Sequence, residues 1–122
     1  MENFKVLYVD DEIINVQLFK MMFRNTFEVA TAGSGAEGLQ ILQNDSRINV
    51  VISDWKMPEM DGVEFILKVK EMKPDMCCFM LSSYLVFQEL QPMIDEGIIK
   101  YYFQKPFDKV LIPAKIKEFL GQ

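Results

Sequence analysis

The chain has 122 residues, half of them hydrophobic, which suits one compact domain and excludes a disordered chain. It carries no apolar run of membrane-spanning length and no signal-peptide pattern at its start, so a single domain over 1–122 in the cytoplasm is expected. A net charge of −5 without a basic block argues against nucleic acid as a direct partner, and the lack of any histidine removes a His general base, a His metal ligand and a phosphohistidine carrier together.

Apolar runs and amphipathic stretches alternate from end to end. Phe4 to Val9 reads as a first strand and stops at Asp10, Asp11 and Glu12. From Ile14, apolar residues recur at helical spacing through Leu18, Met21 and Met22. Phe27 to Thr31 is a short second strand. Ser34 and Glu37 fit a capping box, and the helix it opens is expected to turn Ala36, Leu39 and Leu42 inward. A third strand over 49–53 delivers Asp54, and a turn containing Pro58 follows. Asp61 caps a third helix that carries Val63, Ile66, Leu67 and Lys70, and Lys73-Pro74-Asp75 breaks it. Met76 to Leu81 is fully apolar, the pattern of a central strand covered on both faces, and ends at Ser82 and Ser83. Cys77 and Cys78 are neighbours on this strand and point to opposite faces, so two buried thiols are expected and no disulfide.

A weaker helical stretch runs to Gly97. Pro92 would break its interior, so the fourth helix is expected to start near Gln91, after a loose segment over 84–91. Ile98 to Phe103 is a fifth strand ending at Gln104, Lys105 and Pro106. Asp108 to Leu120 is a final helix, expected to open with an irregular turn or to kink near Pro113.

Five βα units imply an α/β fold: a doubly wound, flavodoxin-like parallel sheet of strand order 2-1-3-4-5 between two helical layers, with right-handed crossovers. In such a sheet ligands bind at the carboxyl ends of the strands. That edge gathers Asp10, Asp11 and Asp54, which repel one another unless a cation joins them. Oxygen-only ligands favour a hard ion, and Mg²⁺ suits a shallow site that also holds phosphate oxygens. Lys105 adds a positive charge and Ser82 a hydroxyl. A carboxylate nucleophile, a divalent cation, a lysine and a hydroxyl make a site for phosphoryl transfer onto aspartate.

The ordered set of motifs resembles the receiver domains of two-component response regulators. The matching residues are Val9-Asp10-Asp11-Glu12, then Asp54 with Lys56-Met57-Pro58 and Met60-Asp61-Gly62, then Ser82, and finally Lys105-Pro106-Phe107. The resemblance covers essentially the whole chain, and it implies roles residue by residue. Asp54 would be the phosphoacceptor. Asp11 would ligate Mg²⁺ (Mn²⁺ as an alternative) directly, with Asp54 and the backbone carbonyl of Lys56, while Asp10 ligates weakly or holds a metal-bound water. Ser82 would bond a phosphoryl oxygen and Lys105 would pair with the phosphate, across a cis bond to Pro106. Tyr102 matches an aromatic switch that swings inward as Ser82 is drawn to the phosphate. Lys56 and Tyr84 would tune the lifetime of the phosphorylated state.

The implied function is a signalling switch that catalyses its own phosphorylation and dephosphorylation. A histidine kinase or histidine phosphotransfer protein would be the donor, consistent with a chain lacking histidine. An output domain or partner would read the fourth helix, fifth strand and fifth helix, near Lys100, Tyr101 and Tyr102. The form of residues 97–107 resembles receivers attached to cyclic-nucleotide phosphodiesterases or found in hybrid kinases. The chain departs from the usual pattern at Trp55, where packing is expected, and at Ser82-Ser83, where either hydroxyl could serve. A phosphohydrolase of the haloacid-dehalogenase type would want a second Asp two residues after the nucleophile; Lys56 stands there instead.

Overall fold

The computed structural model describes residues 1–83 and 87–121. Five strands, β1 (Lys5–Val9), β2 (Glu28–Ala32), β3 (Val50–Asp54), β4 (Cys77–Ser82) and β5 (Tyr101–Gln104), alternate with five helices. The helices are α1 (Ile13–Phe23), α2 (Gly35–Asn44), α3 (Gly62–Met72), α4 (Phe87–Asp95) and α5 (Leu111–Leu120). The strands pair in parallel in the order β2-β1-β3-β4-β5, the order expected from the sequence. No helix among the described residues is long and apolar enough to cross a membrane.

Successive strand residues face opposite sides, so each strand feeds two cores. Leu7, Val9, Val51, Cys78 and Met80 pack with Phe65, Ile66, Leu90 and Met93 on one side. Val6, Tyr8, Ile52, Cys77 and Phe79 pack with Phe19, Phe23, Ile112 and Ile116 on the other. Cys77 and Cys78 are accordingly free, buried thiols in different cores.

Several helix faces differ from the sequence pattern. On α1 the buried residues are Phe19 and Phe23, whereas Ile14, Leu18 and Met21 are exposed. This helix has two apolar stripes, and the aromatic one stacks on Tyr8 and Phe27. On α2, Ser34 Oγ accepts the Glu37 N–H at 3.1 Å, but Ala36 is exposed and the inward face is Gly35, Gly38 and Leu42. A Cβ at Gly38 would lie 2.9 Å from the Phe65 ring, so close packing against α3 selects a residue without a side chain. On α3, Asp61 accepts the Glu64 N–H at 2.9 Å as expected, while Leu67 is exposed.

Around the prolines the boundaries also move. The fourth helix begins at Phe87 rather than near Gln91, and Pro92 lies in its interior. Pro92 is solvent-exposed, so the Gln88 carbonyl that loses its N–H partner is on a wet face. Residues 84–86 of the segment expected to be loose fall outside the described residues. The fifth helix begins at Leu111, with Pro113 third in its first turn, where an N–H has no intrahelical acceptor. The irregular turn precedes it, closed by Asp108 Oδ1 accepting the N–H groups of Val110 and Leu111 at 2.9 and 2.8 Å. The fifth strand starts at Tyr101, because the N–H groups of Ile98 and Ile99 turn back to the Met93 carbonyl and finish α4.

Candidate functional site

The carboxyl ends of β1 and β3 lie side by side, and both lead into aspartates. Asp10, directly after β1, is fully buried; Asp11 is exposed; Asp54 is 7 % exposed. One carboxylate oxygen from each lies within 4.8 Å of the others. Three oxygen donors at this separation, one facing solvent, fit a small hard cation that keeps some of its water.

Lys105 reaches in from the end of β5. Its ammonium is 3.0 Å from Asp54 Oδ1 and 3.2 Å from Asp10 Oδ2. Its own N–H donates to the Ser82 carbonyl at 2.8 Å, and the bond to Pro106 is cis, as the family resemblance implied. One lysine does not balance three carboxylates. Burial, and then the charge of Asp10, push the Asp54 carboxyl up to about 6 against the pull of Lys105. Burial opposes the charge of Lys105, but its hydrogen bond and attraction to Asp54 outweigh this and raise its pKa.

The turn after β3 is held tightly. Gly62 donates its N–H to the Trp55 carbonyl at 2.7 Å, and a Cβ there would lie 2.3 Å from the Asp54 carbonyl oxygen. Only glycine lets α3 start this close to the strand that carries Asp54. Trp55 is buried, in keeping with the packing role expected of it, and the Lys56 ammonium sits 4.1 Å over its ring. Ser82, the last residue of β4, is buried, and Ser83, just past it, is exposed. Tyr102 is buried on the α4 side of the sheet, opposite Met80. Tyr84 lies outside the described residues.

From its sequence context Tyr8 is a plain strand residue, and the structure gives it more to do. Its hydroxyl donates to Asp10 Oδ2 at 2.5 Å, and burial, followed by the charge of Asp10, holds that hydroxyl in its protonated form. The signal was available, because residues 8 and 10 of an extended strand share a face. Beside the carboxylates, a cleft of about 330 Å³ opens between α1 and the β2–α2 turn, lined by Asp11, Ile13, Thr31 and Glu37 among others.

Residues 6–117 match the response regulator receiver domain family. The chain is 30 % identical to a Campylobacter jejuni chemotaxis protein CheY homolog, covering 96 % of this chain and 92 % of that one. It is also 30 % identical to the Escherichia coli transcriptional regulatory protein GlrR, over 96 % of this chain but 26 % of that protein. It thus spans about a quarter of the longer regulators it matches. Among solved structures, a Clostridium thermocellum response regulator receiver domain protein superposes with a TM-score of 0.88 at 29 % identity, covering 97 % and 94 % of the two chains. A Borrelia burgdorferi CheY, solved as a CheX–CheY–BeF3–Mg²⁺ complex, gives 0.85 at 26 % identity, covering 96 % and 89 %. With this fold and this acidic edge, the chain belongs to the response regulator receiver domain family, the phosphoacceptor switches of two-component signalling.

Proposed function

We propose that Asp54 is the phosphoacceptor, on one observation above the rest: its largely buried carboxylate is grouped with two further aspartates and pairs with the Lys105 ammonium. One Asp54 oxygen is engaged by Lys105, which leaves the other to attack phosphorus in line. A bond forms between that oxygen and phosphorus. The bond from phosphorus to the donor's imidazole nitrogen breaks, and its electron pair leaves with the imidazole.

Asp11, Asp54 and the Lys56 carbonyl would hold Mg²⁺, or Mn²⁺ in its place, and Asp10 would hold one of its waters. The ion supplies charge neutralisation for the phosphoryl oxygens. The bound Mg²⁺ of the Borrelia relative supports this assignment. Lys105 then moves its hydrogen bond from Asp54 to a phosphoryl oxygen, and the Ser82 hydroxyl donates to another. Drawing Ser82 toward the phosphate would leave room beside β4 for Tyr102, which is already buried there, to repack further inward, and the α4–β5–α5 face would change with it. That face carries a groove of about 470 Å³ bordered by Gln91, Ile94, Tyr101, Gln104 and Leu111, where an output domain or partner would read the state.

The donor is a histidine kinase or histidine phosphotransfer protein, which places the domain in the cytoplasm with the ATP that charges the kinase. Its docking surface is the exposed apolar row Ile13, Ile14, Leu18 and Met21 on α1, which begins at the rim of the cleft beside Asp11. Lys56, whose ammonium sits over Trp55, would set the lifetime of the acyl phosphate together with Tyr84, which lies outside the described residues.

Mass spectrometry after incubation with acetyl phosphate and Mg²⁺ tests the assignment. The phosphoryl adduct should map to Asp54 and vanish in Asp54→Asn. Lys105→Ala should slow its formation while the protein stays folded. An adduct elsewhere, or one that persists in Asp54→Asn, would refute it.

A further inference from the structure

Asp10 is fully buried, and its carboxylate accepts three hydrogen bonds from protein groups. Oδ1 accepts the Glu12 N–H at 3.0 Å. Oδ2 accepts twice, from the Tyr8 hydroxyl at 2.5 Å and from the Lys105 ammonium at 3.2 Å. The same ammonium is closer to Asp54, at 3.0 Å. Lys105 is therefore shared between two carboxylates, and a second donor on Asp10 decides how strongly that residue pulls.

We propose that Tyr8 is a positioning residue for phosphoryl transfer: its hydroxyl shares Asp10 Oδ2 with Lys105 and so weakens the pull of that carboxylate on the ammonium that serves Asp54 and the incoming phosphoryl group. The bond is charge-assisted and short, the strong class of hydrogen bond. Packing alone aims it. The Tyr8 ring is fully buried, stacks on Phe19 at 4.3 Å between centroids, and meets the edge of Phe107 at 5.6 Å. Phe107 is two residues past Lys105, so one ring braces both the carboxylate and the loop that carries the lysine. Phenylalanine at position 8 would fill the same space without the donor. Asp10 would then keep Lys105 as its sole side-chain donor among the described residues and draw it from Asp54.

This inference rests on Asp54 as the acceptor, and the test separates the two. In Tyr8→Phe the Asp10 carboxylate carries more uncompensated charge and Lys105 leans away from Asp54. Calorimetric titration should therefore show Mg²⁺ binding a few-fold tighter than in the unmodified protein. Phosphorylation of Asp54 by acetyl phosphate at saturating Mg²⁺ should be about tenfold slower, the usual scale for a lost partner of a metal-site carboxylate. Tighter metal with slower transfer is a signature that simple loosening of the core does not give. Phe27→Leu, a buried aromatic change away from Asp10, should lower the urea midpoint and leave both quantities unchanged. Unchanged metal affinity and rate in Tyr8→Phe would overturn the proposal, as would a loss of both in step with a loss of stability. If the unmodified protein takes no phosphoryl group on Asp54, the parent assignment fails instead.

Discussion

Asp54 is held in a conflict that its neighbours only partly relieve. Its carboxyl stands at about 6 in the fold, raised by burial and by Asp10, against an ordinary value of 3.8. The folded state thus binds the Asp54 proton more tightly than the unfolded chain does. Below the unfolded value both states are protonated and the site is not penalised. As pH rises from there to about 6, the unfolded chain ionises while the folded carboxyl resists, and stability is lost. Above that window both states are ionised and the loss stays constant. Raising a carboxyl from 3.8 to about 6 corresponds to about 3 kcal/mol at neutral pH. Asp54→Asn cannot ionise, so in metal-free buffer it should be more stable than the parent by about 2–3 kcal/mol at pH 7.5, with the gain shrinking toward zero below about pH 4. Urea titrations across that range measure it, and a gain independent of pH would rule out ionisation of Asp54 as the source. As the proposed phosphoacceptor, such a residue would cost the fold stability in exchange for reactivity, the trade expected where a rule of core chemistry is broken for function.

At the level of elements, strands were more legible than helices. A short apolar run bounded by turn signals is too short for a buried helix, so Val50–Asp54 and Cys77–Ser82 lie within a residue or so of expectation. A helix can be recognised by period while its inward face is misjudged. Two apolar stripes compete on α1, and on α2 the glycines that make the close contact carry no hydrophobic signal. The cluster of Asp10, Asp11, Asp54 and Lys105 was legible because strand ends are few and charged residues there are conspicuous. Tyr8 was not, since a tyrosine in a strand reads as bulk until its hydroxyl is placed. Proline shows the same limit, because its cost depends on a position that sequence locates only to within a turn. Pro92 removes a hydrogen bond inside α4 on an exposed face, so Pro92→Ala should stabilise the domain by about 1–3 kcal/mol. Pro113 removes none in the first turn of α5 and is buried, so Pro113→Ala should cost about 0.5–1 kcal/mol through unfolded-state entropy. Denaturant midpoints with unchanged slopes would bear out the opposite signs. Equal effects would mean that α4 is not continuous through Pro92.

Across the whole molecule the two ends of the sheet are electrostatically unlike. At the amino ends of the strands, Lys5 pairs with Asp45 at 2.6 Å and Arg47 with Glu28 at 3.4 Å, and Lys117 reaches Glu2 at 2.9 Å. Those acids have cations to match. At the carboxyl ends, Asp10 and Asp54 both pair with Lys105, so one ammonium serves a cluster of three carboxylates. The repulsion is therefore concentrated at one edge, where a divalent cation would relieve it, and ion binding becomes folding stability by mass action. At a hundredfold excess over its dissociation constant, Mg²⁺ should add about 2.7 kcal/mol, or roughly 10 °C in Tm for a domain of this size. NaCl at the same ionic strength screens the edge without bridging its carboxylates and should give only a small part of that rise. Asp11→Asn removes the exposed ligand without touching the buried pair, so it should raise Tm in metal-free buffer and abolish most of the Mg²⁺-specific increment. Thermal scans of both proteins in the three buffers decide the matter. An equal response to Mg²⁺ and NaCl, or an increment that survives in Asp11→Asn, would show that the acidic edge is only a patch of negative charge and not a metal site.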